Sequence, residues 1–292
     1  MAANSVKPVR DANRQKNLRE LWWIHKCPRP DMNEAIRGLD RFLVTPRVAK
    51  HRIFSWLPGG AHPDSRLYVF GLSSDAYFGL LHSSLHELWA VRIGARHGVG
   101  NDFTYNGETC FQTFPLPWPP GAEDVEHPAY KRIGEAAAAL NEQRERWLNP
   151  PEWIEPIAER IDRADDFADV AATCGEAARR LIRESAIQAA AAKDAKLKKR
   201  TLTNLYNERP AWLRMAHERL DRAVLAAYAA MDGAGDWSED WADAWVETGA
   251  GQPLPEGHAL GQRRAAVDQA VLTALLRLNQ RRAAGRRGTG VV

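Results

Sequence analysis

Apolar and polar residues follow two different periods along this chain. Between positions 41 and 72 the apolar runs are short and rich in β-branched and aromatic residues. They are Arg41-Phe42-Leu43-Val44-Thr45, Arg52-Ile53-Phe54-Ser55-Trp56-Leu57 and Leu67-Tyr68-Val69-Phe70-Gly71-Leu72, with a turn at Pro58-Gly59-Gly60. Such runs, bounded by turn residues, predict strands. From Asp75 the period lengthens. Phe78, Leu81, Leu85, Leu88, Trp89 and Ile93 recur at three- and four-residue steps, which predicts a helix ended by Gly94. Upstream, Pro28 and Pro30 break any helix, and Asp31 is expected to cap a short one that turns Ala35, Ile36 and Leu39 inward. The stretch 109–114 reads as extended, and Pro115, Pro117, Pro119, Pro120 and Gly121 predict a stiff linker.

Beyond residue 128 the pattern is helical, over 136–147, 158–167, 171–199, 210–231 and 263–282. Within this part, 189–199 is mostly Ala and Lys and reads as an exposed connecting helix. The stretch 233–261 reads as an ordered loop with a short helix. The expected fold class is therefore α+β: a mixed α/β domain at 1–120 followed by an all-helical domain at 121–292. Trp22, Trp23, Phe54, Trp56, Trp89, Phe111 and Phe114 stand at strand and helix spacings and are expected in the core.

Composition narrows the class. With 292 residues, 45% hydrophobic and 26% charged, the chain belongs with globular proteins. A net charge of +3 permits nucleic-acid binding without requiring it, so placement decides. Cations gather at Lys7, Arg10, Arg14, Lys16, Arg19, Lys26 and Arg29, and again at Arg41, Arg47, Lys50, His51 and Arg52. Cys27, Cys110 and Cys174 show no CxxC spacing, so neither a zinc knuckle nor a disulfide framework is expected, which fits a reducing cytoplasm. No apolar run reaches the roughly 18 residues that span a bilayer, and the N-terminus lacks a signal-peptide core. A cytoplasmic protein with no membrane partner is expected.

Three blocks carry a family likeness. One is Trp22-Trp23, then Arg29-Pro30, then Arg41-Phe42 and the run from Thr45-Pro46-Arg47 to Ser55-Trp56-Leu57. Another is Phe78-Gly79-Leu80-Leu81-His82-Ser83-Ser84-Leu85-His86-Glu87-Leu88-Trp89, and the third is Thr109-Cys110-Phe111-Gln112-Thr113-Phe114-Pro115-Leu116-Pro117. In this order they resemble the target-recognition domain of MmeI-like adenine-specific DNA methyltransferases, the class I enzymes of type II restriction-modification systems. Leu148-Asn149-Pro150-Pro151-Glu152-Trp153, Leu202-Thr203-Asn204-Leu205-Tyr206-Asn207 and Pro210-Ala211-Trp212-Leu213 resemble the helical C-terminal region of that family. The likeness covers most of 7–225.

The resemblance implies sequence-specific binding of double-stranded DNA that positions an adenine for N6 methylation, in bacterial defence. It also implies that Met1 falls about where the methyltransferase domain should already have ended. No cofactor is expected in this chain; S-adenosylmethionine would sit in a partner methyltransferase subunit or domain. Two other readings stand beside this one. The chain is a non-catalytic helical interaction protein or degenerate methyltransferase remnant, or it is a metal-dependent enzyme using His82 and His86.

Catalytic patterns do not assemble in the sequence. An amino-methyltransferase needs an (Asn/Asp)-Pro-Pro-aromatic loop, whose ring stacks on the flipped base. Asn149-Pro150-Pro151-Glu152 ends in a carboxylate and follows a helix. Gly94, Gly98 and Gly100 follow a helix rather than the strand that a cofactor loop requires. His82 and His86 lie four apart beside Glu87, which differs from the His-Glu-x-x-His order of zincins. No catalytic or metal-ligating residue is assigned.

Candidate DNA contacts are of two kinds. Phosphates are neutralised by Lys and Arg, and the expected contacts are Arg41, Arg47, Lys50, His51 and Arg52. Bases are read by side chains that match their edges. In the polar, glycine-bearing stretch 92–109, Arg92 and Arg96 match guanine, Asn101 or Asn106 adenine, and Asp102 cytosine. Tyr105 would stack or contact a phosphate. Thr104-Tyr105-Asn106 stands where related domains often show Arg-Tyr-Thr, with Thr104 in place of that Arg.

Overall fold

The computed structural model describes residues 6–23, 29–97, 102–118, 121–164, 175–238, 240–248 and 260–288. Short helices α1 (Lys7–Asp11), α2 (Lys16–Glu20) and α3 (Pro30–Ile36) lead into the strands. Helix α3 begins at Pro30, where a missing N–H costs no hydrogen bond, rather than after an Asp31 cap. Ala35 is exposed, and only Ile36 and Leu39 are half-buried. Trp23 is 63% exposed and so lies outside the core expected for it.

Strand β1 (Arg41–Pro46) is the centre of a three-stranded antiparallel sheet, flanked by β3 (Ser55–Pro58) and β4 (Leu67–Phe70). Leu43 faces Trp56 on one side and Phe70 on the other. Phe42 to Thr45 are all buried, so both faces of β1 are covered, which explains a continuous apolar run in place of alternation. β3 starts three residues later than its apolar run. The carbonyls of Ile53 and Phe54 are taken by side chains instead of a ladder: Thr45 Oγ1 donates to Ile53 O at 2.8 Å, and Arg144 Nη2 to Phe54 O at 3.1 Å.

The expected helix after Asp75 is two helices, α4 (Asp75–His82) and α5 (Ser84–Ile93). Ser83 adopts ψ 154° and its side chain caps α5 by accepting from His86 N, so one serine ends one helix and starts the next. A second small sheet has the order β2 (Val48–Ala49), β6 (Asp102–Thr104), β5 (Ala95–His97). The stretch expected to be extended is wound into a π-helical turn, Gly107–Phe111, because Asn106 Oδ1 accepts from the Glu108 and Thr109 N–H groups.

The rest is helical: α6 (Pro128–Leu148), α7 (Pro151–Asp162), α8 (Glu176–Ala191), a 3-10 turn at Leu197–Lys199, α9 (Leu202–Glu208), α10 (Ala211–Met231), α11 (Asp240–Thr248) and α12 (Gly261–Gly288). Pro151 is at N1 of α7, so the Pro-Pro pair both stops one helix and opens another. The molecule is thus α+β with small antiparallel sheets and a helical C-terminal region. No described helix is long and apolar enough to cross a membrane.

One apolar cluster runs from Leu43 and Phe54 through Phe78, Ile133 and Leu140 to Leu220, Tyr228 and Leu275, continuing across position 120. Its tightest crossing is at Gly79 of α4. A Cβ there would stand 2.8 Å from Ile133 Cγ2, 3.0 Å from Ala137 Cβ and 3.0 Å from Leu220 Cδ1. Gly79→Ala gains helix propensity of up to about 1 kcal/mol, but overpacks a three-helix contact at about 1–3 kcal/mol. We expect a net loss of stability, read as a lower urea midpoint; an unchanged or raised midpoint would contradict this close packing.

Candidate nucleic-acid interface

The connection from β1 to β3 carries most of the expected phosphate contacts, and the structure separates them by fate. The backbone of Arg47 is held at both ends, its N–H donating to Arg66 O at 2.8 Å and its carbonyl accepting from Tyr105 N at 2.7 Å. Its side chain stays exposed, with the guanidinium 5.3 Å from the Tyr68 ring centre. Lys50 Nζ donates to Asn207 Oδ1 at 2.7 Å, and His51 Nε2 reaches the same oxygen at 2.9 Å. An amide oxygen only accepts, so His51 carries its proton on Nε2. Among the described residues no ion pair engages Arg47 or Lys50, and both keep their charge for solvent or a ligand.

Arg52 belongs elsewhere. It is 7% exposed, and its guanidinium donates to Thr45 Oγ1 at 3.1 Å, to Phe103 O at 3.2 Å and to Pro46 O. It also lies over the Phe103 and Tyr105 rings, 5.0 Å from each centre. Burial pulls its pKa down to about 10. Arg52 therefore ties the two sheets together and does not face a ligand as the sequence suggested. Arg41 is also engaged, paired with Asp75 at 2.9 Å and stacked 4.1 Å from the Trp56 ring centre.

Beside Lys50 and His51 opens a cavity of about 440 Å³. It is lined by Val44, Val48, Lys50, His51, Ile53 and Leu67 and by Leu202 and Thr203 of α9. The sequence block that contains Asn207 gave it no role, because a neutral amide on a helix gains one only once the loop it holds is in place.

The expected base contacts also divide. Arg92 is exposed on the last turn of α5 and lines a groove of about 240 Å³ with Trp89, Ile93 and Leu276. Arg96 lies in β5 and Asp102 in β6; their side chains, and all of Asn101, fall outside the described residues. Thr104 is half-buried, and among the described residues its hydroxyl has no hydrogen-bond partner. Asn106 caps the π-helical turn. Tyr105 is fully buried and its hydroxyl meets His86 Nε2 at 3.2 Å, so it is a core residue and offers no stacking face. β2 pairs with β6 through Val48 opposite Thr104 and Ala49 opposite Phe103, and β6 pairs with β5. β2, at the middle of the cationic connection, and the strands β5 and β6 are therefore parts of one sheet.

The histidines proposed for metal chemistry face inward. His82 Nε2 meets Tyr206 OH at 2.7 Å and Arg144 Nη1 at 3.1 Å, while its Nδ1 accepts from Phe54 N at 3.3 Å. His86 Nδ1 meets Leu81 O at 2.8 Å, which assigns the proton to Nδ1. Tyr206 continues to His217 Nε2 at 3.0 Å. Burial holds all three imidazoles below their ordinary range, His86 at about 4 and His217 at about 3. Nearby, Asp221 accepts from Ser84 N at 2.8 Å and Ser84 Oγ at 2.7 Å, and burial raises its carboxyl to about 6. Both rings are thus bonded within the core, and among the described residues no group of three His, Cys, Asp or Glu is placed to hold a metal. Asn149 is the C-terminal cap of α6, its amide donating to Glu145 Oε2 at 3.3 Å.

Fold and surface together define an α+β protein whose smaller sheet is flanked by Arg47 and Lys50, which no ion pair engages among the described residues. No protein family and no curated protein matches the chain. One solved structure is similar, that of the type IIL restriction-modification enzyme MmeI in complex with DNA, at 17% sequence identity and a TM-score of 0.45. The match covers 85% of this chain and 25% of that one, so the chain spans a quarter of that protein's length.

Proposed function

We propose that this chain binds duplex DNA site-specifically, as the recognition part of an N6-adenine methyltransferase of a restriction-modification system. In this reading it positions an adenine for a partner methyltransferase domain that carries S-adenosylmethionine. One observation supports it above the others: the strand pairing that puts β2, flanked by Arg47 and Lys50, in a single sheet with β5 and β6. Phosphate contacts set register and base contacts set sequence, so the two need a rigid connection. Two hydrogen-bonded strand pairs supply one. The narrowed phosphate set is Arg47, Lys50 and His51; burial removes Tyr105 from the base set, which keeps Arg92, Arg96, Asn101, Asp102, Thr104 and Asn106. The residue blocks that resemble the MmeI-like family support the same reading.

Fluorescence anisotropy on labelled duplexes tests it. Affinity should fall linearly with the logarithm of salt concentration. The double variant Arg47→Ala/Lys50→Ala should weaken binding to all sequences and flatten the salt slope by about 1.8, about 0.9 per lost phosphate contact. If the wild-type chain binds no duplex at 50 mM salt or below (roughly the low end of the usual range), the reading is wrong.

A further inference from the structure

The densest cationic run in the chain lies far from the strands. Between 193 and 208 stand Lys193, Lys196, Lys198, Lys199 and Arg200, against Asp194 and Glu208 alone. Among the described residues Asp194 makes no ion pair with these cations. Its Oδ1 accepts from the N–H groups of Leu197 at 3.0 Å and Lys196 at 2.8 Å, bonds that hold its carboxyl below the usual range. It caps the turn that follows α8. Leu197 is buried and fixes that turn from below. Arg200 fixes it from the side, its guanidinium 4.5 Å from the Trp147 ring centre and 4.9 Å from that of Trp153, with Nη1 donating to Trp147 O at 3.1 Å. Between these anchors Lys198 and Lys199 stand exposed, and among the described residues no ion pair engages either.

Helix α9 connects this turn to the cationic loop. Asn204 Nδ2 donates to Lys199 O at 2.8 Å, and Asn207 Oδ1 accepts from Lys50 and His51. Residues three apart share a helix face and lie about 4.5 Å apart along its axis. One short helix face therefore sets the spacing between two cationic segments that are about 150 residues apart in sequence, a separation that elementary chain order cannot reveal. The same helix supplies Leu202 and Thr203 to the lining of the 440 Å³ cavity that Lys50 and His51 also line.

We infer that residues 196–203 form a second wall of the duplex-binding surface, joined to the first through α9, with Lys198 and Lys199 neutralising phosphates in addition to Arg47 and Lys50. The inference rests on the duplex-binding reading above. It assigns the helical half of the chain a direct part in affinity, and it makes Asn207 a positioning residue that holds Lys50 and His51 at a set distance from the turn.

The test is salt-dependent duplex binding by the full chain carrying Lys198→Ala/Lys199→Ala. The slope of log affinity against log salt should flatten by about 1.8, and affinity at 0.1 M salt should fall on the order of ten- to sixty-fold, equally for all sequences. The charge reversal Lys198→Glu/Lys199→Glu should cost more. Both pairs are exposed, so thermal midpoints should stay unchanged and exclude misfolding as the cause. Asn207→Ala should weaken binding a few-fold with the slope preserved, because no charge is lost. If wild type binds and Arg47→Ala/Lys50→Ala weakens it while the lysine variants bind as wild type, the second wall is refuted and the duplex-binding reading survives. If wild type does not bind, both fall.

Discussion

Acidification should unfold this protein steeply, beginning near pH 6.5. His82, His86 and His217 are buried and neutral, with His86 held at about 4 and His217 at about 3. In the unfolded chain each imidazole binds a proton near its ordinary pKa of about 6.5. The folded pKa values are depressed, so as pH falls below that value the unfolded state takes up protons that the native state refuses. Stability is lost. Asp221 opposes this, because its carboxyl is raised to about 6 and the folded state binds a proton that the unfolded chain lacks. Glu87, also raised by burial, acts in the same sense as Asp221. Three protons against one leave a net of two between about pH 6 and 4, a slope of roughly 2.7 kcal/mol per pH unit before Glu87 trims its lower end. Two such units approach the whole stability of an ordinary domain, about 5–15 kcal/mol. Thermal scans between pH 7 and 4.5 should show the midpoint falling by roughly 5–10 °C per unit. His217→Asn should reduce the slope by about 1.4 kcal/mol per pH unit. A midpoint that stays level from pH 7 to 5 would show that the imidazoles are not held neutral.

Replacing Arg144 should be the most damaging single change at neutral pH. Its side chain is fully buried in α6, and among the described residues no ion pair engages it. It works as a donor to the strand side: Nη2 donates to Phe54 O at 3.1 Å and to Ser55 Oγ at 3.3 Å, while Nη1 lies 3.1 Å from His82 Nε2. The Phe54 carbonyl lies in the stretch before β3 where no ladder serves it, so Arg144 is what allows that stretch to be buried. Arg144→Ala leaves these acceptors dry and opens a cavity. Each unsatisfied buried group costs about 1–3 kcal/mol, and the loss should total about 4 kcal/mol or more. Arg144→Met fills the volume and removes a buried cation, whose desolvation is itself unfavourable, so it should cost less. Arg144→Lys keeps the charge but loses the planar guanidinium, and should fall short of wild type. Urea titration of the three variants should rank wild type above Met and Lys, with Ala last. An alanine variant within 1 kcal/mol of wild type, well below the usual cost of a lost buried partner, would mean that the network contributes little.

Much of the architecture could be read before any coordinates. The strand at 41–46, the helix at 211–231 and the helical second half follow from apolar period and composition, which report how one element meets its surroundings. The errors of extent have local causes that the letters carry only weakly. Ser83 resembles any helical serine until its ψ turns to 154° and it caps the next helix. Asn106 winds the 107–111 turn through its own side chain, against the extended preference of the residues after it.

The basic run at 41–52 could likewise be found in the sequence, but the fates of its members could not. Arg47 and Arg52 are the same residue five positions apart. One reaches solvent, while the other bridges two sheets and is held at about 10. Tyr105 follows the same logic: its place in a polar stretch suggested a surface ring, and pairing of the adjacent β6 with β2 drew it under the sheet against His86.

By itself, then, the order of residues determined the kinds of element, their rough limits, the presence of cations without nearby carboxylates, and the blocks that carry the family likeness. Tertiary structure alone decided which of those cations are desolvated, which imidazoles are enclosed, and that a helix near position 205 would join two distant basic segments through Asn204 and Asn207. The physical reason is that charge and hydrogen-bonding capacity belong to the residue, whereas solvation belongs to the place where the folded chain puts it.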